Sequence, residues 1–299
     1  MRIEPTGATL GAVVTEVSLG TLDEAAWRGI ERAFLDHAVL AFPGQHCTEA
    51  EQVAFARRFG ELSIETLTFT NRAEDGSLRP PTDPLVQLLA GNEGWHTDSS
   101  FQPVAAKASM LTAREVPATG GETEWADMRA AYDALDEATR GLVEGLAAHH
   151  SLFRSQSRLG RDGGATAAGI ASLYGRSDHG ARTAAELPPA PRRPLVKVHP
   201  VTGRKALFIG RHAFAIPGLA PAESDALLER LVDEACRPPR VFTHRWTPGD
   251  LVVWDNRCVL HRARPYDPGE ARTMVHSRVA GDPQTETAEE LVAFDTLAA

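Results

Sequence analysis

The stretch Gly94-Trp95-His96-Thr97-Asp98-Ser99-Ser100-Phe101 sets an imidazole and a carboxylate two residues apart in what reads as extended chain. In a strand, residues i and i+2 point to the same face, so His96 and Asp98 can aim at one point. That is what two ligands of one metal must do. The best candidate for a third ligand is His261, in Trp254-Asp255-Asn256-Arg257-Cys258-Val259-Leu260-His261. Two histidines and one carboxylate on one side of a metal, with the remaining positions open, is the donor set of non-haem Fe(II) oxygenases.

Around this stretch the chain alternates short extended runs with helical ones. Residues 8–19 are valine-rich and read as one or two strands, and Asp23 to Ala38 carries apolar residues at helical spacing (Trp27, Ile30, Phe34). Val39 to Phe42 reads as a buried strand stopped by Pro43-Gly44. Thr48, with Glu51 three residues on, predicts a capping box for a helix through Phe55 to Phe59 that ends at Gly60. Val86 to Leu89 and Lys107 to Thr112 read as strands, Gly120-Gly121 as a turn, and Glu122 to Trp125 as extended chain. Asp127 predicts the cap of one helix running through Tyr132, Leu135, Leu142 and Leu146. Residues 154–194, rich in Gly, Ser, Ala, Arg and Pro, read as an irregular lid whose arginines include Arg154, Arg158 and Arg161. Order returns in a strand pair, Leu195 to His199 and Lys205 to Gly210, then in a helix opened by Pro221. Strands at Phe242 to Trp246, Leu251 to Trp254 and Arg272 to Ala280 close the chain. Many short strands with Gly/Pro turns, clad by helices, predict one mainly β domain, a sandwich or barrel, over residues 1–299.

Composition narrows the function. The 299 residues are 42% hydrophobic and 24% charged, enough for a sizeable core with an ordinary soluble surface. A formal net charge of -9 argues against a nucleic-acid partner, which would call for a basic patch. Cys47, Cys236 and Cys258 are widely spaced and odd in number, which fits reduced thiols in a cytoplasm. No stretch approaches membrane-spanning length, so no membrane partner is expected. A small-molecule substrate remains the expected partner, and a homo-oligomer is compatible with this composition.

In sequence the chain resembles the taurine dioxygenase family, and within it the branch of chlorophenoxyacetate-degrading dioxygenases. The resemblance covers nearly the whole length. It is carried by GATLGAVVTEVSL (7–19), HAVLAFPGQ (37–45), FARRFGEL (55–62) and GNEGWHTDSSF (91–101), and by GGETEWADMRAAYDAL (120–135) and HPVTGRKALFIGRH (199–212). RWTPGDLVVWDNRCVLHRARPYD (245–267) and VAGD (279–282) complete it. The resemblance implies a double-stranded β-helix, a jelly roll with flanking helices. It also implies Fe(II) on His96, Asp98 and His261, with 2-oxoglutarate and O2 as co-substrates. The far carboxylate of 2-oxoglutarate would be held by Arg272, eleven residues after His261, and by Thr123, with Trp254 packed near the metal. An arginine suits that carboxylate because its planar fork donates two charge-assisted hydrogen bonds. Asn92, Ser99 and Phe208 are the remaining candidates for the substrate side.

One position departs from the family pattern. Four residues after the 2-oxoglutarate arginine, sulfonate- and aryloxyacetate-cleaving members carry a second arginine for the substrate anion, and this chain has His276. Arg278 lies two residues on and would share its face in a regular strand. Simple sulfonates and aryloxyacetates are therefore expected to be anchored poorly. The expected reaction consumes 2-oxoglutarate, releases succinate and CO2, and oxidises an unactivated C–H bond of a small anionic or amino-acid-derived molecule. Hydroxylation, cleavage after hydroxylation, and desaturation are all open outcomes. Halogenases of this type lack the carboxylate that Asp98 supplies. A non-catalytic binding protein on the same fold and a Zn2+ hydrolase on the same three ligands are the rival readings.

Overall fold

The computed structural model describes residues 1–160, 169–170, 188–293 and 297. The chain begins with strands β1 (Arg2–Pro5) and β2 (Ala12–Thr15), then helix α1 (Glu24–His37), β3 (Val39–Phe42), α2 (Glu49–Arg57) and β4 (Leu62–Thr70). Next come α3 (Pro84–Ala90), β5 (Ala108–Glu115), β6 (Thr123–Asp127), α4 (Met128–Asp133) and α5 (Glu137–Val143). They are followed by β7 (Ala147–His150), α6 (Leu152–Ser157), β8 (Ala190–Pro194), β9 (Val196–Val198), β10 (Lys205–Leu207) and β11 (Ala213–Phe214). The last part holds α7 (Pro221–Ala235), β12 (Val241–His244), β13 (Leu251–Asp255), β14 (Val259–Ala263), β15 (Thr273–Val279), α8 (Pro283–Glu286) and β16 (Glu290–Val292).

A seven-stranded sheet runs β1-β2-β3-β13-β5-β15-β4, and a three-stranded sheet runs β12-β6-β14. Period-two alternation divides the large sheet's residues between two cores. Leu40, Phe42, Met110, Leu251, Val253 and Val279 face the helices, where Trp27, Phe34, Phe55 and Phe59 of α1, α2 and the turn after α2 pack. The Phe59 ring meets Trp27, Phe34 and Phe55 edge-on, with centroids 5.0, 4.9 and 5.3 Å away. The alternate residues Val39, Leu111, Val252, Trp254 and Met274 face the other way, sharing a core with Trp125 and Leu260 of the small sheet. Strand β13 is buried on both faces, so its sequence LVVWD is a continuous apolar run closed by one acid.

Most expected elements are present, including the capping box of Thr48 and Glu51 at α2. Three differ. Val86 to Leu89 lies in helix α3, not a strand. Asp83 caps the helix by accepting from the Leu85 amide, Pro84 opens it, and Leu85 and Leu88 are buried one turn apart. A short apolar run has no periodicity to separate the two readings. The single helix expected from Asp127 is two helices, because Asp136 accepts from the Thr139 amide and caps a second one, α5. Leu142 consequently stands exposed instead of in the core. Strand β15 is not the last, since β16 follows and pairs with β8. Of the expected 154–194 lid, residues 161–168 and 171–187, with Arg161, lie outside the described residues. Its ends are regular: α6 covers Arg154, and β8 pairs with β7. No helix among the described residues is long and apolar enough to cross a membrane.

Candidate metal centre and co-substrate cavity

Strand register brings His96 to His261. β14 pairs with β6, placing His261 opposite Trp125, and the chain at His96 forms an antiparallel bridge on its other side. The His96 amide donates to the His261 carbonyl at 3.0 Å, and the His261 amide donates back at 2.7 Å. The two imidazole centroids are 4.2 Å apart. In this stretch only His96 is a bridge residue; Asp98 already lies in a turn with the left-handed Ser99 (φ 56°), so the expected extended run stops before the second ligand. One ligand atom each from His96, Asp98 and His261 lies within 4.8 Å of the others.

Protonation states suit a divalent metal. His96 Nδ1 lies 2.8 Å from the Gly94 carbonyl, which calls for a proton on that nitrogen and leaves Nε2 as the lone-pair nitrogen. Burial pushes the His96 pKa down to about 4, against the pull of Asp98. Burial, then the neighbouring His96, holds His261 well below its ordinary value. Burial alone would raise Asp98, but the Arg278 guanidinium outweighs it and keeps the carboxyl well below its usual range. Two neutral imidazoles and one carboxylate are therefore present at neutral pH, the forms a metal takes up without displacing protons.

Arg278 Nη2 lies 3.3 Å from Asp98 Oδ1, and Ser109 Oγ donates to Oδ2 at 2.6 Å. His276 Nε2 is 3.7 Å from the same Oδ2, and its ring stacks on Phe69 at 5.0 Å. His276 and Arg278 thus share one face of β15, although the register with β4 shifts between them, and both line the site.

Arg272 stands just before β15. Its Nε and Nη2 donate to the Gly121 carbonyl at 3.3 and 3.2 Å, and it has no ion-pair partner among the described residues. Burial presses its pKa down. A guanidinium held this way leaves donors free for an arriving carboxylate. Thr123 accepts from Trp246 Nε1 at 2.9 Å, so its hydroxyl proton is free to be given elsewhere.

One cavity of about 130 Å³ joins these groups; it is lined by His96, Asp98, His261, Thr123, Trp254, Arg272, His276, Arg278 and Asn92 among others. Phe69, Leu88, Phe101, Leu111 and Leu152 make its walls apolar. Two expected lining residues are not brought here. Ser99 is a buried turn residue whose carbonyl accepts from the Gln102 amide, and Phe208 packs beside His150 at 5.7 Å. The sequence reading missed His212, whose ring lies edge-on between His96 and Phe101 with Nδ1 2.9 Å from Ser155 Oγ. Its only signal was its place at the end of the HPVTGRKALFIGRH motif. His199, Asp255 and Cys258 form a second close group. There His199 Nε2 contacts Asp255 at 3.1 Å while Nδ1 accepts from the Val201 and Thr202 amides, so the imidazole is already satisfied.

The family model described as "Taurine catabolism dioxygenase TauD, TfdA family" matches residues 2–278. The chain is 54% identical to the (S)-phenoxypropionate/alpha-ketoglutarate-dioxygenase of Sphingobium herbicidovorans, over 96% of this chain and 97% of that one. It is 39% identical to the alpha-ketoglutarate-dependent 2,4-dichlorophenoxyacetate dioxygenase of Cupriavidus pinatubonensis, over 85% and 88% of the two chains. Among solved structures, AAD-2 in complex with Mn(II) and N-oxalylglycine superposes with a TM-score of 0.84 at 34% identity, covering 97% of this chain and all of that one. The chain belongs to the TauD/TfdA family of taurine catabolism dioxygenases.

Proposed function

We propose that His96, Asp98 and His261 hold Fe(II), that Arg272 and Thr123 hold the far carboxylate of 2-oxoglutarate, and that the substrate is a small 2-aryloxypropanoate. The reaction class is that of the family: an Fe(II)- and 2-oxoglutarate-dependent dioxygenase. The bound iron, keto acid and O2 supply the oxidising power, and the protein positions the reactants and excludes water. The observation that carries this reading is Arg272, an arginine without an ion-pair partner among the described residues, facing the same cavity as the three convergent ligands. A Zn2+ hydrolase would leave that clamp without a use, and a non-catalytic binding protein would not need the complete His96/Asp98/His261 set.

The substrate class follows from charge and shape. Arg278, whose Nη2 contacts Asp98, also lines the cavity, and its Nε is buried with no hydrogen-bond partner among the described residues. Phe69, Phe101, Leu111 and Leu152 suit an aromatic ring beside the carboxylate. His276, kept neutral by burial, takes the place of a second arginine. A carboxylate held from Arg278 sits one pleat further along β15 than one held from position 276. Relatives at 54% and 50% identity carry the name (S)-phenoxypropionate dioxygenase, and the 2,4-dichlorophenoxyacetate enzymes stand at 39% and 38%. Hydroxylation of the carbon that bears the ether oxygen gives a hemiketal, which collapses to a phenol and a 2-oxo acid.

The same reading takes the facing seven- and three-stranded sheets as the double-stranded β-helix, or jelly roll. It places the protein in the cytoplasm, where the free thiols of Cys47, Cys236 and Cys258 stay reduced. Succinate release measured with both enantiomers of 2-phenoxypropionate, 2,4-dichlorophenoxyacetate and taurine tests the substrate class. A 2-phenoxypropionate should be turned over fastest, 2,4-dichlorophenoxyacetate slowly and taurine not at all. Taurine turnover above that of every aryloxy acid would contradict it.

A further inference from the structure

The turn Asn256-Arg257-Cys258 joins β13 to β14, and its asparagine reaches back to the metal centre. Trp254 Nε1 donates to Asn256 Oδ1 at 2.9 Å, and the Asp98 amide donates to the same oxygen at 3.3 Å. With its oxygen committed to two N–H groups, Asn256 must present Nδ2 to Ser109 Oγ, 2.9 Å away. Ser109 therefore accepts from Asn256, and its own proton goes to Asp98 Oδ2 at 2.6 Å. Each hydrogen in this chain points towards the carboxylate. Ser109, Trp254 and Asn256 are all buried, at 0%, 1% and 2% exposure, so water does not compete for these bonds.

Strand register builds the arrangement. Ser109 of β5 stands opposite Trp254 on β13 and opposite Arg278 on β15. One row across three neighbouring strands thus supplies Trp254, Ser109 and Arg278, of which Ser109 takes one oxygen of Asp98 and Arg278 faces the other. A free aspartate rotates broadly about its terminal torsion; one held at both oxygens does not.

We propose that Trp254, Asn256 and Ser109 form a one-way hydrogen-bond relay that fixes the Asp98 carboxylate for metal binding, with Asn256 and Ser109 as positioning residues. This rests on the metal-centre reading above. Partners of this kind are worth about 10–100-fold in metal affinity in other sites. Ser109→Ala removes the donor to Asp98. Asn256→Asp is nearly isosteric but replaces the Nδ2 donor by an acceptor, so it draws the Ser109 proton away from Asp98.

The test is Mn(II) binding to wild type, Ser109→Ala, Asn256→Asp, their double variant and Asp98→Ala. It is paired with the visible charge-transfer absorption of the anaerobic Fe(II)·2-oxoglutarate complex and a thermal melt of each protein. Ser109→Ala and Asn256→Asp should each weaken Mn(II) by about 10-fold or more and shift the absorption band. The double variant should be no weaker than Ser109→Ala by more than about twofold, since both changes remove one bond to Asp98. Wild-type affinity and an unshifted band in a folded Ser109→Ala would overturn the relay, whatever Asn256→Asp does. Undiminished Mn(II) binding by Asp98→Ala would instead overturn the metal-centre reading on which the relay depends.

Discussion

At the scale of single residues, the site is marked by an arginine that has no acidic partner among the described residues. Arg272 donates two bonds to the Gly121 carbonyl and meets no carboxylate among the described residues. Arg262 is a useful contrast, since it has Glu124 at 2.7 Å. A part-buried guanidinium without its counter-charge is costly, so a ligand carboxylate is the economical partner. Removing it in Arg272→Ala forfeits a charge-assisted pair of about 2–5 kcal/mol. The half-saturating concentration of 2-oxoglutarate should rise at least about tenfold, with turnover at saturation far less affected. Thr123→Ala should raise it by a smaller factor, because it removes one neutral hydroxyl donor. An unchanged half-saturating concentration in Arg272→Ala would place the clamp elsewhere. These residues were legible in sequence as positions in a family pattern. Trp246, Ser109 and Asn256 were not, because what they do depends on which strands neighbour each other.

Among elements, the segment after β10 decides how closely the chain can approach the metal loop. The Arg211 amide donates to the Trp95 carbonyl at 2.8 Å, and a Cβ on Gly210 would sit 3.0 Å from that oxygen and 3.3 Å from His96 Cα. Gly210 also has φ +119°, and Gly218 has φ +87° with nothing near its missing Cβ. Both positions favour glycine for backbone reasons, but only Gly210 presses on a metal ligand. Gly210→Ala and Gly218→Ala should each lower the melting temperature, through roughly 1–3 kcal/mol of backbone strain. Mn(II) affinity should fall in Gly210→Ala alone. Equal affinities in the two variants would mean that this contact does not hold His96 in place. Local signals decided which elements could be read in advance. Thr48 and Glu51 announced α2 because a capping box is complete within four residues. Val86 to Leu89 misled because four apolar residues fit a strand or a helix equally well, and Asp83 and Pro84 carried the deciding information. The break at Asp136 was written in Asp136-x-x-Thr139, a start signal overlooked inside a longer periodic pattern.

For the molecule as a whole, the mainly β architecture was legible because short apolar runs such as Val39 to Phe42 and Leu251 to Trp254 recur between Gly/Pro turns. Which sheet faces which was not, since that depends on pairings far apart in the chain. The same packing makes the protein sensitive to acid through its buried histidines. His150 is fully buried with neither ring nitrogen partnered among the described residues, and burial, then Arg193 and His149, pushes its pKa down to about 3. Unfolding returns it to an ordinary imidazole, so the unfolded chain binds the proton more readily. Stability is therefore whole above the unfolded value and falls as pH drops from there towards the folded one. At about pH 5 this one residue accounts for roughly 2 kcal/mol of that loss. His150→Leu gives up no hydrogen bond, so in urea titrations the stability difference between about pH 7 and pH 5 should shrink by about that amount. An unchanged difference would show that His150 does not fold in its neutral form. The central claim is that His96, Asp98 and His261 hold Fe(II) for 2-oxoglutarate-driven oxidation. Its most direct test is succinate and phenol release from (S)-2-phenoxypropionate by wild type and by Asp98→Ala, each loaded with Fe(II) under matched conditions. The account predicts equal amounts of succinate and phenol from wild type and none from a folded Asp98→Ala. Succinate formation by Asp98→Ala at the wild-type rate would contradict it.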